Sequence, residues 1–261
     1  MPKLSSITAL FHCASRIIFR KPPMDTETPQ PPDPVMAPPS TPDRSPSGSE
    51  IFGAVIDVVV GSNNTTRTFT VHQGVLCFYS GYFKTTLSAE ASEGAIKLPN
   101  EDPAIFDTFS LWLYTRRFVN PVGEDDVTRL GIKKLTILWL FAEKHQIPLL
   151  QNEVLNFIHK KLGAERHSLV TDLQYLYEHT KPDSPLRLYY IQALVRRGSA
   201  SMALAPDKLS RWPRAALVDV MRTTWGTDSG NCTHAKFLAW DLCKYHVHEE
   251  GVKCKKDDRK R

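Results

Sequence analysis

A chain of 261 residues and 29.5 kDa can form one large domain or two small ones, which excludes both a mini-protein and a large multidomain assembly. Hydrophobic residues make up 41% and charged residues 23%, with a mean hydropathy of -0.30, the average of a somewhat polar soluble protein. The net charge of +5 sits at the ends: residues 1–21 carry +4 and residues 251–261 another +4, so the stretch between them sums to -3 and has no basic excess with which to hold a nucleic-acid backbone.

The first 21 residues are basic and contain no acid, and Ile7 to Phe19 is apolar with Ser, Thr, His12 and Arg16 interspersed. Arg16 interrupts the apolar run and no small-residue cleavage site follows, so a secretory signal is not expected; mitochondrial targeting by residues 1–21 fits the composition better, beside the plainer reading of a disordered leader. Ten of the nineteen prolines fall between Pro22 and Pro46. Proline offers no N–H and the intervening Ser, Thr and Asp have little to bury, so residues 1–50 are expected to be a disordered Pro/Ser/Thr-rich leader.

Order is expected from Ile51. Asp57 to Val60 is β-branched and bounded by Gly61-Ser62-Asn63-Asn64, and Thr66 to Val71 alternates polar and apolar, which predicts a hairpin. From His72 to Ser88, Val75, Leu76, Tyr79, Phe83 and Leu87 recur at spacings of three and four, one buried face of a single helix. A short strand is expected over Ala95 to Leu98. Asp102 can then cap a helix whose first position is Pro103 and whose inner side carries Phe106, Phe109, Leu113 and Tyr114. A third helix holds Ile132, Leu135, Leu138, Trp139 and Ala142, and Pro148 opens a fourth with Leu150, Val154, Leu155 and Ile158 inward. Beyond Gly163 the pattern is wholly helical: Leu169 to Tyr177, Leu186 to Val195, Leu217 to Trp225, and a last helix from Lys236 to Tyr245. The aromatic residues of this half, Trp225 and Trp240 among them, are expected as core, with any left on the surface serving as interface anchors.

These residues resemble the BTB/POZ domain in the form common in filamentous-fungal proteins. The resemblance runs through Asp57-Val58-Val59-Val60, Phe69-x-Val71-His72-x-x-Val75-Leu76-x-x-x-Ser80-x-Tyr82-Phe83 and Ile96-x-Leu98-Pro99-x-x-Asp102-Pro103-x-x-Phe106. It continues in Trp112-Leu113-Tyr114-Thr115 and Leu140-Phe141-Ala142-Glu143-Lys144-His145-x-Ile147-x-x-Leu150-x-Asn152. It implies an α/β (α+β) core over residues 51–163, a small mixed sheet packed by helices, followed by an all-α C-terminal extension over 164–248 and a charged tail over 249–261.

The resemblance implies protein–protein interaction, homotypic or with another protein, and no enzymatic step. Family dimers built on an extra N-terminal strand and helix would need the region that is proline-rich here. Adaptors for a cullin-type ubiquitin ligase carry a hydrophobic-x-Glu motif after the first long helix, and Ala91 and Glu93 stand in a comparable place. Asp57, His72 and Ser80 have the residue types of a nucleophilic triad, but Ser80 lacks a G-x-S-x-G elbow and no oxyanion hole is evident. The resemblance implies instead a structural polar contact that fixes the hairpin on the helix.

A second cluster, Cys232, His234, Cys243, His246, His248 and Cys254, offers zinc ligands, four of which a tetrahedral site would take, although no C-x-x-C knuckle is present. The alternative function is therefore a zinc-binding protein or a transcription or chromatin-associated factor using the basic tail; otherwise no cofactor is expected. The tail is interrupted by Asp257 and Asp258 and has no aromatic residues for stacking on bases. Five scattered cysteines suit an intracellular, cytoplasmic or nuclear, setting. No apolar run of about 18 residues or more exists, so no membrane span is expected.

Overall fold

The computed structural model describes residues 47–48, 53–89, 95–119, 130–165, 167–198, 200–226, 232–248 and 253–254. Nearly all of the expected leader, Ala91 and Glu93, and the charged tail apart from 253–254 lie outside the described residues. Strand β1 (Val55–Val60) pairs antiparallel with β2 (Arg67–His72) and parallel with β3 (Ile96–Leu98), giving a mixed sheet of order β2-β1-β3. Asp57 stands opposite Thr70, and Val58 and Val60 stand beside Ile96 and Leu98. Val58, Val60, Val71, Ile96 and Leu98 are buried while Asp57 is exposed, so the alternation in the sequence places one face of the sheet on the core.

The helix expected over His72 to Ser88 is two helices, α1 (Gln73–Tyr79) and α2 (Gly81–Ala89). Ser80 between them is extended, at φ -119° and ψ 119°. Its buried hydroxyl donates to the His145 carbonyl (2.6 Å) and accepts from Phe83 N (3.1 Å), while Gly81 N donates to the Gln146 carbonyl (3.1 Å). The Gly81 N–H thus bonds to a distant segment where a continuous helix would bond it to the Cys77 carbonyl.

Helix α3 (Pro103–Thr115) begins as the sequence predicts: Asp102 Oδ1 accepts from Ala104 N at 2.7 Å and Pro103 takes the first turn. Such a cap contributes about 1 kcal/mol. Tyr114, expected on the inner side, is 45% exposed because its hydroxyl reaches back to β2 and accepts from His72 N at 3.0 Å. Helices α4 (Ile132–Lys144) and α5 (Pro148–Ala164) complete this half. Phe106 joins sheet to helices, its ring 4.8 Å from Phe69 and 5.4 Å from Phe109, and Phe109 lies 5.1 Å from Phe141.

The C-terminal half consists of α6 (Val170–His179), α7 (Pro185–Arg197), α8 (Ala200–Ala203), a 3-10 turn Pro206–Arg211, α9 (Arg214–Gly226), α10 (His234–Leu238) and a 3-10 turn Leu242–Tyr245. It shares the core of the first half: the fully buried Thr136 Oγ1 on α4 meets the Tyr190 hydroxyl on α7 at 2.6 Å, and an Arg197 guanidinium donates to the Leu162 carbonyl. The described residues lie in one compact unit.

Two expectations are corrected here. The last helix is α10 plus a separate 3-10 turn, because the Asp241 carboxylate accepts from Cys243 N (3.1 Å) and starts a new turn. The apolar spacing of α9 does not all face the core: Ala216 is buried, but Leu217, Val218 and Met221 are 40–48% exposed and Trp225 81%. Among the described residues no helix is long and apolar enough to cross a membrane.

Candidate functional site

The structure does not bring Asp57, His72 and Ser80 together as one contact. Strand register sets Asp57 across from Thr70, whose hydroxyl donates to it at 2.8 Å on the exposed face. His72 closes β2, with its backbone N and Nδ1 each 3.0 Å from the Tyr114 hydroxyl. Ser80 lies buried at the α1–α2 break against His145. The three side chains therefore fasten three joints: strand to strand, strand to α3, and helix break to the end of α4. A nucleophile, base and orienting acid in sequence is not assembled here.

His145, absent from the sequence reading as a functional residue, is a packing centre. Its ring is 1% exposed, stacks on Phe83 (5.4 Å, 2° between planes) and lies 4.3 Å from Phe141. Its Nε2 meets Glu101 Oε1 at 3.2 Å, and Lys144 Nζ reaches the same oxygen at 2.5 Å. Burial alone would raise the Glu101 carboxyl, but the hydrogen bonds from His145 and Lys144 outweigh it and hold the group below its usual range. A second polar joint links α3 to α5: Glu153 accepts from Trp112 Nε1 (2.6 Å) and pairs with Arg116, whose guanidinium stacks 4.3 Å over Trp112. Burial nevertheless raises the Glu153 carboxyl, the Arg116 charge opposing it.

Of the six candidate metal ligands, the structure gathers those nearest the C-terminus. Ligand atoms of Cys243, His248 and Cys254 all lie within 4.8 Å of one another. His248 Nε2 is 3.5 Å from Cys243 Sγ and 3.3 Å from Cys254 Sγ, and His246 Nδ1 is 3.0 Å from Cys254 Sγ. Cys254 N donates to Cys243 Sγ at 3.2 Å. Cys232 and His234 stay outside this cluster: the Cys232 thiol bonds to the Thr233 carbonyl at 3.7 Å, and His234 is exposed at the start of α10. Burial holds the His246 imidazole down to about 4, with the His248 charge adding to the effect, and burial lowers His248 too.

The cluster is seated by residues whose sequence signal is slight. Asn152 and Asn156 stand one turn apart on α5. Asn152 clamps the Val247 backbone, donating from Nδ2 to its carbonyl (3.0 Å) and accepting from its N–H (2.7 Å), while Asn156 Oδ1 meets His246 Nε2 at 2.9 Å. Two amides four residues apart in a helix otherwise rich in buried Leu, Val and Ile were the available clue. Tyr245, buried next to His246, stands edge-on to Tyr189 of α7 at 5.2 Å and donates to Gln192 Oε1 at 2.7 Å. The group of two thiols and one imidazole formed by Cys243, Cys254 and His248 could hold a metal ion.

A comparison with protein families matches residues 50–162 to the BTB/POZ domain. A comparison with curated proteins finds no match. The matched span runs from the hairpin through α5, so it includes the sheet, the Ser80–His145 joint and both asparagines that seat the cluster. The fold and the family comparison agree: residues 50–162 are a BTB/POZ domain, a protein-interaction domain, carried here with an α-helical C-terminal extension packed onto it.

Proposed function

We propose that the chain acts without making or breaking covalent bonds, as a module that associates through its BTB/POZ domain with a second copy of itself or with another protein. The observation that carries this reading is the BTB/POZ match over residues 50–162. A stable contact of this kind buries about 800 Å² on each partner. Recruitment of a cullin-type ubiquitin-ligase scaffold is the narrower form of the reading and rests on Ala91 and Glu93, where Ala91 offers only one methyl group as anchor. Five scattered cysteines support an intracellular place of action, in cytoplasm or nucleus.

Light scattering on the full chain tests homotypic association: twice the 29.5 kDa chain mass supports it. A monomer that also retains no partner contacting residues 50–162 overturns the module reading. Retention of a cullin scaffold on the immobilised chain, lost in Glu93→Ala, supports the adaptor form, and failure to retain it counts against that form. A second reading is favoured by the Cys243, His248 and Cys254 cluster: a module that also holds zinc near its C-terminal end. A transcription or chromatin role has only the basic tail behind it, and DNA binding that is salt-sensitive and lost on removing residues 251–261 is its test.

A further inference from the structure

The Cys/His cluster has two features that pairwise hydrogen bonds do not require. One nitrogen, His248 Nε2, faces two sulfurs, at 3.5 and 3.3 Å, and one sulfur, Cys254 Sγ, faces two nitrogens, at 3.3 and 3.0 Å. In a tetrahedral site with Zn–S near 2.3 Å and Zn–N near 2.05 Å, a sulfur and a nitrogen ligand stand about 3.6 Å apart and two sulfurs about 3.8 Å apart. The two His248 separations fall near that frame, the three ligand atoms of Cys243, His248 and Cys254 lie within 4.8 Å of each other, and His246 Nδ1 stands closer to Cys254 Sγ, at hydrogen-bond distance. Three convergent donors of which two are sulfurs, with His246 Nδ1 as a fourth against one of those sulfurs, suit a thiophilic cation whose coordination that nitrogen would complete on binding.

The surroundings are those of a built site. The Cys254 backbone N–H already donates to Cys243 Sγ, the contact that stabilises a thiolate. Asn156 Oδ1 accepts from His246 Nε2, which fixes the proton on that nitrogen and leaves the Nδ1 lone pair turned toward Cys254. On either side of Val247, the two histidines are held in place by the Asn152 clamp on its backbone.

Resting on the reading that the cluster holds zinc, we propose that Cys243 Sγ, His246 Nδ1, His248 Nε2 and Cys254 Sγ are a complete four-ligand structural zinc site that fastens the chain at residue 254 to the last helix of the BTB/POZ domain. Asn156 is its positioning residue. Binding converts two thiols to thiolates and releases two protons to solvent, and the two negative charges cancel the ion, so no net charge is buried. With all four positions filled by protein, no site remains for water or substrate, and the ion serves stability.

Metal analysis of the full chain, purified without a metal-affinity tag and reloaded with zinc chloride, is expected to give one zinc per chain. Chelation is expected to lower Tm. Cobalt-substituted protein is expected to show the intense visible bands of a tetrahedral site with thiolate charge transfer, a readout that needs no variant to fold. Asn156→Ala should weaken zinc binding about 10–100-fold, and Asn156→Asp, which keeps the acceptor oxygen, should restore it. Cys232→Ser and His234→Ala should leave the stoichiometry unchanged. No zinc after reloading overturns both the zinc reading and the site. One zinc that survives His246→Ala undiminished, or that is lost in Cys232→Ser, leaves the zinc reading standing and overturns this ligand set; if His246→Ala does not fold, X-ray absorption on the unaltered chain showing one nitrogen neighbour rather than two does the same.

Discussion

His159 shows how much one buried side chain can tie stability to pH. Its ring lies 4.3 Å from Phe237 and its Nδ1 meets the Tyr189 hydroxyl at 3.0 Å. Burial holds its pKa at about 4, against the pull of the Phe237 and Leu238 carbonyls, below the ordinary 6.5. The folded form keeps the imidazole neutral while the unfolded chain takes up the proton, so its contribution is full above pH 6.5 and is lost as pH falls toward 4. The loss across that window is roughly 3 kcal/mol. Thermal melting of the full chain should show a falling Tm between pH 6.5 and 4, and His159→Phe, which preserves the aromatic stacking, should flatten the slope; an unchanged slope would contradict this assignment. Ser80 works by geometry instead. Ser80→Ala leaves the buried His145 carbonyl and Phe83 N–H without their partner, at a cost of about 1–3 kcal/mol, which urea titration should read as a lower midpoint at constant slope.

At the scale of elements, what is local in sequence was legible and what is closed from a distance was not. The hairpin, β3 and α3 to α5 follow from β-branched runs, the Asp102-Pro103 cap and three-and-four spacing, each a signal carried within a few residues. The break between α1 and α2 is set by His145 and Gln146, some 65 residues away, so periodicity alone read one helix. Likewise, the spacing of α9 marks an apolar face but not what covers it. In the hairpin turn, Gly61 adopts φ 89° and its N–H donates to the Leu98 carbonyl at 3.0 Å. An added Cβ there would stand 3.0 Å from both Pro103 Cγ and the Thr65 carbonyl. Gly61→Ala therefore combines a left-handed conformation with a close contact, at a cost of about 1–2 kcal/mol. A measurable fall in Tm is expected, and an unchanged one would show that the turn relaxes.

Across the whole molecule, the BTB/POZ domain and its helical extension share one core through Thr136 with Tyr190 and through Arg197 with Leu162. The extension fold was readable as helices, but its docking was not, because a Thr–Tyr pair 54 residues apart leaves no periodic trace. For the same reason the Cys/His ligand types stood out in the sequence while their grouping did not: Cys254 reaches Cys243 by a return of the chain, and the asparagines that seat the histidines lie about 90 residues upstream. The basic pI of 8.9 reflects residues 1–21 and 251–261, and residues 22–250 between them, at -3, carry no basic excess with which to hold nucleic acid. Association through residues 50–162 is decided by cross-linking of the full chain together with its light-scattering mass. The expected result is an assembly heavier than the 29.5 kDa monomer, of the chain with itself or with a retained partner, with intermolecular cross-links from Lys84, Lys97 or Lys134; a monomer that retains no partner linked to residues 50–162, or an assembly linked only outside those residues, is the opposite result.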